Sequence, residues 1–235
     1  MNRPDHDTLE AIISLHERYV TDVVEALNLC PFSRRARERG EVVRMTWTAD
    51  EVRDDPERVA AAFTQRALDQ RDLAIGLLTF VTWGEDDPWH DPRAFDAFRR
   101  AVHDAYSADP ALPSFHMVTF HPRLTIRPGA PLNPQTAVAL LRRTPDPVIQ
   151  CVRASVLDAI QAEGRERARA ERAAQLADVL ETLPESMRAA IECSEVEDPI
   201  SASIARRNHE LVAQTPERLE GLIGALIRAR ETLEE

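Results

Sequence analysis

Leu73-Ala74-Ile75-Gly76-Leu77-Leu78-Thr79-Phe80-Val81 is nearly all apolar, as expected of a strand buried on both faces. Upstream, Val42–Trp47 is a strand candidate. Asp55-Pro56 then opens a helix on which Val59, Phe63 and Ala67 stack at i, i+4 spacing. Downstream lies the acidic loop Trp83–Asp91, followed by a helix that Asp91-Pro92 opens and that uses Phe95, Phe98, Val102 and Tyr106. Phe115–Phe120 is a third strand. Residues 41–121 therefore read β-α-β-α-β, and helical connections of this length predict parallel strands with right-handed crossovers.

The flanks read as helices. Residues 8–29 place Leu9, Ile12, Ile13, Tyr19, Val20, Val23, Val24 and Leu27 on one face, with Asp7 and Glu10 in the form of a capping box. Pro31 stops this helix and opens a short arginine-rich one over 31–39, which Gly40 ends. After a proline-rich loop over 122–134, Asn133-Pro134 starts a helix to Arg143. Asp146-Pro147 starts another, with an apolar stripe of Val148, Cys151, Val152, Ser155, Val156, Ala159 and Ile160. A charged helix or arm spans 161–175, and helices follow near 176–192, 199–213 and 216–233. The expectation is α/β: a small, mostly parallel three-layer sheet with an N-terminal helix pair and a C-terminal helical extension. The chain reads as one domain over 1–235, with its core at about 41–121 and helical flanks at 8–40 and 134–233.

Composition narrows the chemistry. The formal charge of −11 argues against nucleic acid, whose phosphates need a basic surface. No apolar run reaches the roughly 20 residues of a membrane span, and the polar N-terminus has no signal-peptide core, so a cytoplasmic location is expected. Three cysteines, Cys30, Cys151 and Cys193, lie far apart without a CxxC, which disfavours a disulfide framework or a four-thiolate zinc site. All 29 basic residues are arginine. The absence of lysine removes Schiff-base, pyridoxal-phosphate and P-loop chemistry. No GxGxxG occurs, and no cofactor is specified.

Leu27-Asn28-Leu29-Cys30-Pro31-Phe32 falls where one helix stops and the next begins. A thiol there sits near free backbone N–H groups that favour the thiolate, as nucleophile or metal ligand. The plainer reading is a small buried hydrophobe. His121 ends the third strand, where open parallel sheets bind ligands. It reads either as a general base or as a residue holding a loop through backbone hydrogen bonds. Arg34/Arg35, Arg123/Arg127, Arg142/Arg143 and Arg206/Arg207 form four pairs suited to carboxylate or phosphate recognition, with surface ion pairing as the alternative. Asn208 follows the last pair inside a helix. Glu85-Asp86-Asp87 with His90 and Asp91 matches no metal motif, and a solvated turn with an N-cap at Asp91 accounts for it.

Four blocks resemble, in order, those of a family of bacterial and plastid proteins catalogued as domain of unknown function 1415. They are Leu27–Phe32 with Arg37, Gly40 and Val42; Phe120-His121-Pro122; Arg142-Arg143-Thr144-Pro145-Asp146-Pro147; and Ile204-Ala205-Arg206-Arg207-Asn208. The resemblance spans residues 12–213. The family's Pro-Tyr-Pro is Pro145-Asp146-Pro147 here, and the aromatic after its His-Pro is Arg123, so the chain reads as a divergent member. The resemblance supports site residues and transfers no reaction. Cys30-Pro31-Phe32-Ser33 also resembles the active-site turn of omega-class glutathione transferases, although there the cysteine follows a strand.

Two functional readings follow. The first is an enzyme acting on a small anionic metabolite. Cys30 and His121 would be catalytic, with Arg34, Arg123, Arg143, Arg207 and Asn208 binding the substrate. A thiol-transfer protein of the glutathione-transferase type is a variant. The second is a non-catalytic binding or assembly protein in which Cys30 is structural and the C-terminal helices form a homo-oligomer face.

Overall fold

The computed structural model describes residues 3–30, 32–125, 131, 133–180 and 199–234. Pro31, Arg127, Cys193 and the segment 181–198, with most of the helix expected near 176–192, lie outside the described residues.

The chain forms a mixed α/β fold around a four-stranded sheet of β1 (Val42–Thr48), β2 (Ile75–Val81), β3 (Phe115–Phe120) and β4 (Val148–Arg153), in the order β1-β2-β4-β3. β1 and β2 are parallel, while β4 runs antiparallel to both β2 and β3. The sheet is therefore mixed rather than mostly parallel. The source of the difference is Val148–Arg153, expected as a helix. Val148, Cys151, Val152 and Ser155 satisfy helical spacing, but Val-Ile-Gln-Cys-Val is also a short β-branched apolar run. Inserted between β2 and β3, it places Ile149 and Cys151 at no solvent exposure.

The N-terminal helix α1 (His6–Arg18) continues as a π-helical segment over Tyr19–Glu25 and is followed by α2 (Ser33–Glu38). Asp5, rather than Asp7, caps α1, its carboxylate accepting from Thr8 N at 2.8 Å. The short α3 (Ala49–Val52) precedes α4 (Pro56–Asp69), and α5 (Pro92–Ser107) follows β2. Asp55 and Asp91 cap α4 and α5, and Pro at the first turn suits both starts. α6 is Pro134–Leu141, α7 Ala154–Leu180, α8 Pro199–Gln214 and α9 Pro216–Glu231.

Strand alternation divides the sheet into two faces. Val43, Met45, Trp47, Leu78, Phe80, Ile149, Cys151, Phe115 and Met117 face α4 and α5, where Phe63, Phe95, Phe98 and Trp89 complete an aromatic core. The opposite face carries Arg44, Leu77, Gln150 and Val118 in one cross-strand row, and Thr46, Thr79, Val148 and Phe120 in the next. Over that face the flanking helices form a second core. Leu15, Tyr19 and Val23 meet Ala137 and Leu141 of α6, Val212 of α8, and Leu219, Ile223 and Leu226 of α9. The apolar stripe of α9 is thus buried within the chain.

Candidate functional site

A cavity of about 400 Å³ lies between the second sheet face and the helices above it. Ligand pockets commonly begin at about 300 Å³. The floor is Val42, Arg44, Leu77, Thr79, Val148 and Gln150. The roof comes from His16 of α1, Tyr19, Val20 and Val24 of the π segment, Leu141 of α6 and Asn208 of α8. A π segment advances the side chains by an extra residue per turn, and such segments recur at functional sites. Here Tyr19 is anchored by its hydroxyl, which donates to Leu141 O at 2.7 Å, and burial pushes its phenol well above the usual range.

Charge in the lining is one-sided. Arg37, Arg44 and Arg142 line the cavity, and no Asp or Glu does so among the described residues. Arg37 is committed: its Nε and Nη2 donate to the two carboxylate oxygens of Glu25 at 2.9 and 2.8 Å. These bonds hold the largely buried Glu25 below the usual carboxylate range. Arg44 pairs through Nε with Glu17 at 2.8 Å, while its Nη2 is buried without a hydrogen-bond partner. Arg142 has neither ion pair nor side-chain hydrogen bond among the described residues. Its guanidinium lies over the Phe120 ring, 5.8 Å from the centroid. Burial lowers its proton affinity and the nearby Tyr19 oxygen partly restores it. An arginine in such a place remains a cation.

The sequence-derived site residues divide. Cys30 lines the cavity as a half-buried thiol, and Asn208 joins it there, donating through Nδ2 to Leu29 O at 3.4 Å. The residues before Cys30 are helical, so the strand–cysteine–helix context of the glutathione-transferase turn is not present. His121 is elsewhere. It has the same strand parity as Phe115, Met117 and Thr119, so its ring turns to the α5 side, 6.1 Å from Phe95. It is fully buried, its Nε2 donates to Trp89 O at 2.8 Å, and its Nδ1 accepts from Arg123 N at 3.0 Å. Burial depresses its pKa and favours the neutral ring, whose two nitrogens are already engaged. This is the geometry of a loop-holding histidine rather than a base in the cavity.

Arg143 pairs with Glu220 at 2.7 Å and donates to Pro122 O, away from the lining. Arg34 reaches Glu25 at 3.6 Å from an exposed position, and Arg123 is exposed. Arg207 lies on α8, with its side chain outside the described residues. Asp87 of the acidic loop is buried against Arg53, Nη2 to Oδ2 2.7 Å. Among the described residues no three His, Cys, Asp or Glu side chains cluster to hold a metal ion, and no helix is long and apolar enough to cross a membrane.

Two groups escaped the sequence. His16 lines the cavity and bonds through Nε2 to Asp146 Oδ2 at 3.1 Å. Asp146 is 1% exposed and accepts from Arg230 Nε at 2.9 and 3.0 Å. Arg230 also donates to Thr82 O and reaches Glu234 at 3.0 Å. Burial opposes the Asp146 charge, but His16 and Arg230 outweigh it and hold the carboxyl below its usual range. With a sequence separation of 130 between His16 and Asp146, no local pattern could join them. Comparison with family models, curated proteins and solved structures gave no match to this chain.

Proposed function

We propose that the protein binds a small amphipathic anion in this cavity and presents it to the Cys30 thiol. The observation that carries the reading is Arg142: a cavity-lining cation with no carboxylate partner among the described residues, set in largely aliphatic and aromatic walls. A half-buried guanidinium of this kind, open to the cavity and without a described carboxylate beside it, gains from an anionic partner. The lining adds Arg44 with a buried unpaired donor and contains no described acid to compete. The ligand's apolar body would lie against Val20, Val24, Leu77 and Leu141, its head on Arg142. This keeps the enzyme reading of the sequence with two changes of residue: Arg142 replaces Arg143 as anchor, and His16, oriented by Asp146, replaces His121 as the nearby base. The resemblance to the family of domain of unknown function 1415 supports the same segments, Leu27–Phe32 and Arg142–Pro147.

Alkylation of Cys30 tests it. Iodoacetate carries the anion and iodoacetamide does not, although iodoacetamide is intrinsically the faster reagent toward free thiols. Peptide mapping should show Cys30 reacting faster with iodoacetate, octanoate protecting it, and Arg142→Gln abolishing the preference. A Cys30 that favours iodoacetamide as a free thiol does, with no protection by octanoate, refutes the reading.

A further inference from the structure

We infer that the anion held by this cavity carries an amide between its carboxylate and its hydrocarbon body, making the ligand class an N-acyl amino acid. The inference rests on the anion-binding reading above and adds what the floor of the cavity offers.

Gln150 and Thr79 are the uncharged polar residues of that floor. Leu77 pairs with Gln150, and Thr79 with Val148, across β2 and β4. Gln150 and Thr79 are therefore diagonal neighbours on the cavity face, about 7–8 Å apart at the backbone. Thr79 is 7% exposed and Gln150 is half-buried. Neither side chain makes a hydrogen bond among the described residues, and the polar atoms of neither are sealed from the cavity. Polar groups inside a fold are normally paired, so two neighbours with open hydrogen-bonding capacity facing one cavity favour a ligand that engages both. Their position fixes the order of groups in that ligand. From β3 to β2 the floor runs from Phe120, beneath Arg142, through Val148 and Gln150 of β4, to Leu77 and Thr79 of β2. The carboxylate on Arg142 comes first, a polar group over Gln150 and Thr79 next, and the hydrocarbon over Leu77 last.

An amide fits the middle place. A trans amide presents its C=O and its N–H to opposite sides, one for each residue. Gln150 and Thr79 can each donate or accept, so either direction of the ligand amide, and either assignment of the Gln150 amide, completes both bonds. A single hydroxyl would need both partners within hydrogen-bond distance of one oxygen, which suits a diagonal pair less well. A second carboxylate offers acceptors alone, and an ammonium group would enter a lining that holds three guanidinium groups.

Calorimetric titration of the full chain with N-hexanoylglycine, with nonanoate of the same chain length, and with the hexanoyl ester of glycolic acid tests this. N-Hexanoylglycine should bind about tenfold or more tighter than nonanoate, the scale of two hydrogen bonds. The ester lacks the N–H and should bind about fivefold weaker than the amide. Gln150→Leu and Thr79→Val should each reduce the preference for N-hexanoylglycine over nonanoate to about threefold or less. The wild-type comparison stands without either variant, should one fail to fold. An acylglycine that binds no tighter than nonanoate, or an ester that equals it, overturns this inference and leaves the anion reading in place. So does a preference that survives both substitutions. Failure of all three ligands to bind overturns both.

Discussion

Asp146→Asn should be among the most damaging conservative substitutions in the chain. Asp146 joins three elements at the edge of the cavity: the start of β4, Arg230 on α9 and His16 on α1. Its side chain is 1% exposed and that of Arg230 4%. Asparagine keeps the shape but removes the buried counter-charge that two of the guanidinium's contacts rely on. Thr82 O and the half-buried Glu234 remain as its partners. Breaking one side of a buried pair costs about 3–5 kcal/mol. For a chain of this length that is a fall in Tm of roughly 6–20 °C. Urea denaturation gives the free energy directly, and its pH dependence identifies the source. Because the folded-state pKa of Asp146 is depressed, its contribution is present above the usual value of 3.8 and lost as the pH falls through the folded value. The variant's stability should therefore decline less than wild type as the pH falls from 3.8 toward the folded value. Asp146→Leu combined with Arg230→Met removes both charges and should recover most of the loss. A single variant within about 1 kcal/mol of wild type, or a double variant no better than the single, refutes the ion-pair account.

His121 is held neutral by burial, so the unfolded chain binds its proton first. Stability from this residue is present above the unfolded value of 6.5 and declines below it, by at most about 1.4 kcal/mol per pH unit; His121→Phe should show a shallower loss between pH 7.5 and 5.5 in the same denaturation assay. Gly76→Ala should destabilise by about 1–3 kcal/mol, since a Cβ there would meet the buried Phe63 ring at 2.5 Å and Cys151 Cβ at 3.3 Å. Thermal unfolding checks it, and an unchanged Tm would show that the ring has room to move.

Much of the sheet was legible in the sequence. The three strands within 41–121 and the helix starts at Asp55-Pro56 and Asp91-Pro92 are local patterns, and the structure contains them, whereas Asp146-Pro147 leads into a strand. β4 was not legible, because a six-residue apolar run satisfies two periodicities and only pairing between β2 and β3 decides. Strand parity could have placed His121: counting by twos from Phe115 puts it with Met117, against α5. Cys30 and Asn208, singled out by local chemistry at a helix junction and inside a helix, both line the cavity. Of the two arginines in that motif, Arg142 turns to the cavity while Arg143 turns to Glu220, a difference of one residue that spacing could not decide. His16 carries no signal of its own and becomes legible only beside Asp146.

The central claim is that Arg142 is the anchor for an anion. Calorimetric titration of octanoate against wild type, Arg142→Gln and Arg143→Gln tests it most directly. The account predicts saturable binding to wild type, a loss of about 10- to 150-fold in Arg142→Gln, and a change within about twofold in Arg143→Gln, whose side chain is committed to Glu220. Equal affinity of wild type and Arg142→Gln, or an equal loss in Arg143→Gln, would contradict it.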